Sequence, residues 1–392
     1  MMNAVSPRTR LRQEFQTELH GYHQMHGEKN GSGLDGTIYP PDLQPHDDVA
    51  LEARVDKLSD FLSKKPGINF RPTPVFGQGR IEDRAEVAAA SSGWVKACGK
   101  VALQTATDLI VDPSIRAMVV AGFKEVDSEF FRAPSSSSGM FHPADEINDG
   151  GLALHTARVV QMGEHLGEFF GLSEREQDTL RAGLLLHDTV KGGVPWNGYA
   201  NDHGELAGEL IKGLKGPADV KKTAAQIASN HMALWRKTAK GEPNPAIPDN
   251  KMDMVASLAD YLAARDNIYV DVPGLDKTIP PTSTPADRLP AFTYAGKNKN
   301  APAGLPREVE VTTEKETLKL VIDGQSYTGK ISSPTIDDSY LTYSDFKPDK
   351  GRKNPLKGIE AKANFWLLTG AKGGKVVLRQ GDQEAAYFVK RS

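Results

Sequence analysis

The apolar positions of the chain change period along its length. Residues 1–50 carry no period. The stretch HGEKNGSGLDGTIYPPDLQPHDD is rich in Gly, Pro and Asp and reads as an arm or long loop. From Leu51 the spacing becomes helical, with Leu51, Val55, Leu58 and Leu62 on one stripe. Residues 87–111 read as helical too, and Pro113 is well placed to open a helix through PSIRAMVVAGFKEVDSEFF. From about 141 to 268, long apolar-periodic stretches alternate with short Gly, Asp and Asn turns, the pattern of a helical bundle. Residues 271–306 contain seven prolines and read as a linker or wrapped loop. Beyond them the period drops to two. Val309, Val311, Leu318, Leu320 and Ile322 alternate with polar residues, and 340–343, 364–368, 375–379 and 385–389 are strand-like. No solenoid-type repeat is present. The pattern predicts a mainly α protein with a small C-terminal β domain, sandwich or barrel. It divides into an arm (1–50), an N-terminal helical region (51–124), a helical domain (125–270), a Pro-rich linker (271–305) and the β domain (306–392).

Composition narrows the class. The chain has 392 residues, 39% of them hydrophobic and 25% charged, with a net charge of −3. That balance predicts a folded core and gives no support to a generally basic nucleic-acid coat. The single cysteine, Cys98, excludes an intramolecular disulfide and a Cys-rich zinc site, and suits a reducing compartment. No apolar run approaches the roughly 18–20 residues of a membrane helix. MMNAVSPRTRLRQEF lacks the apolar stretch of a signal peptide. The expectation is a cytoplasmic protein with no membrane partner; the pattern does not speak to oligomeric state. No GxxxxGK[ST] loop is present, so ATP-driven chemistry is not indicated. From residue 291 onward there are 17 Lys and Arg against 12 Asp and Glu, with positive charge concentrated in KPDKGRKNPLKG at 347–358. Beside Phe346 and Trp366, that loop could hold a single-stranded nucleic-acid backbone and stack a base. The plainer reading is a solvated, lysine-rich loop.

The histidines carry the chemistry. Six of the ten lie between 142 and 231. His155 heads the series Val159, Met162, Leu166 and Phe169 at helical offsets, so its imidazole points with the apolar face. His187 and Asp188 close the apolar run Leu184–Leu186, where an unpaired buried carboxylate would be costly. His203 stands in NDHGELAGELI, and His231 lies four residues after Ile227. Asp260 sits among Ala256, Ala259, Ala263 and Ala264, small residues that permit close helix packing. Singly, each is better read as a satisfied core residue, a cap or an ion pair. One solution satisfies all six: neutral imidazoles and carboxylates converging in a bundle to hold divalent metal. Four His and two Asp suffice for two ions about 3.5–4 Å apart, with Asp188 placed to bridge them. By contrast, His20, His23 and His26 read as a solvated arm, His165 as an ordinary bundle residue, Arg265 as structural and Cys98 as a small buried side chain.

The order His155, His187-Asp188, His203, His231, Asp260 resembles the HD-domain superfamily of metal-dependent phosphohydrolases in its two-metal form. GGLALHT, AGLLLHDTVK and LADYLAAR are similar to that family's first, second and last motifs, and the resemblance spans roughly residues 125–270. It implies an HD-type bundle in which His155, His187, Asp188 and Asp260 hold a first metal. His203 and His231 would complete a second site, sharing Asp188. Lys191 matches the lysine that follows the HD pair by three residues and would bind substrate phosphate beside the catalytic Asp188. Manganese or iron is favoured, and nickel, cobalt, zinc or magnesium also accord with the donor set. The chain departs from many two-metal members in having Asn230–His231 rather than a His-His pair, and Val190 rather than Gly before the lysine. In GGVPWNGYAN, Trp196 and Tyr199 either stack on a base or pack. The upstream text FFRAPSSSSGMFHPADEINDGGLALHT is similar to the segment before the first motif in HD-type 3′–5′ exoribonucleases and relaxase-like proteins of conjugative elements. There His142 would serve the substrate or back up a ligand. The implied activity is hydrolysis of a phosphoester, a nucleotide or nucleic acid, by metal-held hydroxide. Two alternatives stay open: an HD-fold di-iron oxygenase, and a relaxase-like or non-catalytic nucleic-acid-binding protein.

Overall fold

In the computed structural model, the structure describes residues 57–70, 99–136, 142–147, 150–196, 200–232, 250–265, 268–272, 292–314, 317–335, 340–349, 356, 358–364, 367 and 373–392. The arm, Cys98, Tyr199, Trp366 and most of the 347–358 loop lie outside them.

Helical stretches at 57–63 and 99–108 lead into α1 (Pro113–Glu125), α2 (Gly151–Phe169), α3 (Glu174–Leu186), α4 (His203–Gly213), α5 (Ala218–Asn230) and α6 (Lys251–Ala263). Their starts follow local chemistry. Asp112 accepts from the Ser114 and Ile115 amides at the head of α1. Ser173 and Glu176 form a reciprocal capping box on α3, and Asn250 caps α6 through the Asp253 amide. Between α1 and α2 run two 3₁₀ turns, Ser128–Phe131 and Ala144–Glu146. Helix α2 is the hub, buried all round over its first ten residues and packed against α6 and α3, while α3 rests on α5 and α5 on α4. Leu58, Leu62, Met118, Leu154, Leu184, Ile227 and Leu262 are among the buried side chains there. A short antiparallel ladder of β1 (Ile68–Phe70) and β2 (Ile268–Val270) ties the two ends of this unit together.

The C-terminal part is a closed antiparallel barrel. Its strands are β3 (Phe292–Lys297), β4 (Glu308–Glu314), β5 (Thr317–Ile322), β6 (Gln325–Thr335), β7 (Tyr340–Pro348), β8 (Ile359–Asn364), β9 (Gly373–Gln380) and β10 (Gln383–Arg391). Each pairs with the next, and β10 closes on β3. Alternation decides the interior, which is filled by Tyr294, Val311, Leu318, Leu320, Tyr343, Leu378 and Tyr387.

Three sequence expectations change. The β part is a full eight-stranded barrel, so the chain is a helical domain plus a barrel, rather than mainly α with a small appendage. The barrel begins inside the stretch read as linker, because β3 hydrogen-bonds along β4 from Phe292↔Thr313 to Lys297↔Glu308. Where a strand was expected at 364–368, β8 ends at Asn364, and 365, 366 and 368 lie outside the described residues. Strand β6 went unread, since its run of Ser, Thr and Gly has little apolar signal.

Candidate metal centre

The predicted residues arrive at one place from five elements. His155 sits in the second turn of α2. His187 caps the C-terminus of α3, with Asp188 in the turn beyond. His203 opens α4, His231 caps the C-terminus of α5, and Asp260 lies in the last turns of α6. The Gly-Gly before His155 has a steric reason. Gly150 adopts φ +89°, and a Cβ on Gly151 would lie 1.6 Å from the Glu146 carbonyl oxygen. The upstream 3₁₀ turn therefore presses directly on the head of α2.

His155, His187 and His203 have no exposed surface, and Asp188 and His231 have almost none. His155 Nε2 stands 2.9 Å from Asp260 Oδ1, and His187 Nε2 is 3.9 Å from the same oxygen. The two oxygens of Asp188 face different neighbours. Oδ1 lies 3.2 Å from His203 Nε2 and 3.5 Å from His231 Nε2; Oδ2 lies 3.5 Å from His187 Nε2 and accepts a hydrogen bond of 2.6 Å from Lys191 Nζ. Three imidazoles are turned the same way. The Nδ1 of His187, His203 and His231 donates to the carbonyl three residues earlier, at Leu184, Ala200 and Ala228. That bond fixes the tautomer with a lone pair on Nε2. Buried and without a hydrogen-bond partner are His187 Nε2, His231 Nε2, Asp188 Oδ1 and His155 Nδ1, the last of which faces Glu146 at ion-pair distance only. Leaving buried acceptors unpaired costs about 1–3 kcal/mol each, and a shared cation removes that cost. The donor set therefore fits divalent metal, and three overlapping triads among the described residues stand close enough for it: His155, His187 and Asp260; His187, Asp188 and His231; and, on the far side of His155, His142, Glu146 and His155.

Electrostatics agree with this division. Burial pushes the His187 imidazole down to about 4, which leaves it neutral and able to donate its lone pair at neutral pH. Burial would also depress His155, but Glu146 and Asp260 on its two nitrogens outweigh it and raise it to about 9. Burial disfavours the charged forms of Asp188 and Asp260, yet both stay well below the usual carboxylate range. Lys191 and His187 hold Asp188 there, and His155 holds Asp260.

Three residues were invisible to the motif reading. Glu146 Oε2 lies 3.2 Å from both His142 Nδ1 and His155 Nδ1, and its other oxygen is 2.7 Å from Arg158 Nη1. Arg158, itself buried, also grips Asp145 at 2.8 and 3.0 Å. The signal was available: Arg158 follows His155 by three residues on the same helix face, and PADE carries two acids just upstream. His142 packs edge-on against His155, with ring centres 4.4 Å apart. Burial lowers its pKa to about 4. Trp196 is half-buried and lies against the bundle core, its ring over Gly192. It packs, whereas Tyr199 is outside the described residues. Phe346 is buried in the barrel against Gly329, so its ring is not offered to a base. Arg265 turns back onto the Tyr261 carbonyl and ring, and His165 contacts Gln161 on its own helix.

A buried cluster of imidazoles and carboxylates inside a helical bundle is a donor set suited to divalent metal. The model of the HD domain family, a superfamily made up generally of metal-dependent phosphohydrolases, matches residues 152–265, the stretch of the helical unit that carries the clustered His and Asp residues. The chain matches no curated protein and no solved structure. Among the described residues, no helix is long and apolar enough to cross a membrane.

Proposed function

We propose that the protein is a divalent-metal-dependent phosphohydrolase whose substrate is a phosphoester of a nucleotide or nucleic acid. The observation that carries this reading is the set of bare, buried acceptors, His187 Nε2, His231 Nε2 and Asp188 Oδ1, converging beside His155 and Asp260. His155, His187, Asp188 and Asp260 would hold one ion; His203 and His231, with Asp188 shared, would hold a second. Such ions supply Lewis acidity toward a phosphoryl oxygen and a water acidic enough to attack phosphorus. The chain's own groups do the rest. Asp188 offers one oxygen to each half of the site. Lys191 neutralises the carboxylate it touches and puts a fixed positive charge where a phosphate would dock. The backbone carbonyls behind His187, His203 and His231 keep those rings from turning.

A polymeric substrate is favoured by the barrel surface. Phe388 is 55% exposed, directly opposite Lys375 in the β9–β10 register, with Lys390 two residues on along the same face. An exposed ring among lysines is the kind of platform on which a base stacks while the backbone is neutralised.

The test is turnover. Chelator-stripped protein is given Mn²⁺, Fe²⁺, Co²⁺, Ni²⁺, Zn²⁺ or Mg²⁺ and assayed on generic phosphomonoesters and phosphodiesters, nucleotides and short single strands, beside Asp188→Ala. The expected result is metal-dependent release that the variant lacks. Oxygen uptake with no phosphoester cleavage, or salt-dependent strand binding by metal-loaded protein without turnover, would overturn it.

A further inference from the structure

Glu146 is a buried carboxylate that neutralises the buried Arg158 and also stands behind one imidazole of the centre. Three of the centre's imidazoles are steered by backbone carbonyls; His155 is steered by a charge. Its Nε2 is hydrogen-bonded to Asp260 at 2.9 Å, while its Nδ1 faces Glu146 Oε2 at 3.2 Å as an ion pair without hydrogen-bond alignment. Glu146 is fixed from several directions. Arg158 Nη1 holds Oε1 at 2.7 Å, and His142 donates to Oε2. The Glu146 carbonyl accepts from the Ser135 amide and hydroxyl at 2.9 Å each, and lies against Gly151. The next residue, Ile147, is buried in the barrel's apolar cluster. Arg158 is anchored in turn by Asp145, by the Val270 carbonyl at 3.1 Å and by the Tyr269 ring at 4.3 Å. A buried Arg–Glu pair is a poor source of stability, because apolar side chains of like volume serve as well or better. Its placement behind one ligand nitrogen is better explained by orientation.

We infer that Glu146, clamped by Arg158, is a positioning residue for the metal centre: it fixes the tautomer and ring plane of His155 so that Nε2 is presented beside Asp260, and strengthens that nitrogen as a donor. The inference rests on the metal reading above. It makes the two halves of the site unequal, one backed by a carboxylate and the other by neutral carbonyls.

The experiment is a Mn²⁺ titration of the chelator-stripped full chain by calorimetry, with metal content measured independently. Glu146→Gln keeps the shape and an acceptor oxygen, and leaves Arg158 its contacts to Asp145 and Val270. It is expected to weaken one class of site by about 10–100-fold in protein shown to be folded by circular dichroism; the metal-free melting temperature should fall, because Arg158 and His155 lose a buried partner. His203→Ala should weaken the other class instead. Arg158→Lys keeps the positive charge but not the fork across both carboxylates; it should shift the same class as Glu146→Gln, by less, and it decides the matter if Glu146→Gln does not fold. A folded Glu146→Gln protein that binds Mn²⁺ as the wild type does overturns the inference and leaves the metal reading intact. Wild-type protein that binds no divalent cation overturns the metal reading, and the inference with it.

Discussion

Replacing Asp188 with Asn separates a metal centre from a merely polar core. Its carboxylate sits within 3.5 Å of His187, His203 and His231 and within 2.6 Å of Lys191. The change keeps the shape but removes the charge that both halves of the site share. Two effects follow. Without metal, the buried Lys191 ammonium loses its partner, and breaking such a pair costs about 3–5 kcal/mol. With metal, the wild type gains RT ln(1 + [L]/Kd), about 2.7 kcal/mol per site at a hundredfold excess over Kd. For a domain of this size one site then raises the melting temperature by roughly 5–11 °C. Thermal melts of stripped protein with and without Mn²⁺ measure both effects. The metal-free variant should melt below the metal-free wild type, and metal should raise the wild type while moving the variant little. The decisive quantity is the metal-induced increment, since the lower baseline alone fits any buried ion pair. Equal increments in the two proteins, or none in the wild type with any of the six cations, would refute the reasoning.

Other outcomes follow from the same geometry. His155 is raised to about 9 in the folded protein against 6.5 for the free side chain. The stability it contributes to metal-free protein is therefore full below about pH 6.5 and lost as pH rises through 9. Metal must displace that proton, so affinity should climb across the same window, with close to one proton released near pH 7.5; calorimetry in buffers of different ionisation enthalpy counts it. His142 and His187, lowered to about 4, act oppositely: acidification from pH 6.5 toward 4 should destabilise the protein, as followed by denaturant melts. Gly151→Ala drives a Cβ into the Glu146 carbonyl and should cost about 3 kcal/mol in chemical denaturation. Phe388→Ala should weaken binding of a short single strand by about 1–3 kcal/mol without altering stability, as fluorescence anisotropy would show.

The order of His155, His187, Asp188, His203, His231 and Asp260 pointed to a centre through residue type and through the resemblance of their motifs to the HD domain, whereas period placed chiefly His155 on an inward face. The helices of the bundle were legible from their period, as were β4, β9 and β10, whose apolar residues alternate. What failed were elements whose partners supply the signal. Strand β3 follows a proline-rich run and becomes a strand only through its ladders to β4 and β10. Strand β6, rich in Ser, Thr and Gly, is a strand because β5 and β7 flank it. Phe346 looked available beside a basic loop, yet the barrel's closure turned it inward.

The sequence by itself determined which residues are candidate donors, since ligand chemistry belongs to residue type and the order of those residues to the chain. Only the tertiary structure decided who stands behind them. Glu146 and Arg158 gain their meaning from a 3₁₀ turn folding across the head of α2, and no periodicity within either segment records a contact made across a turn and between layers.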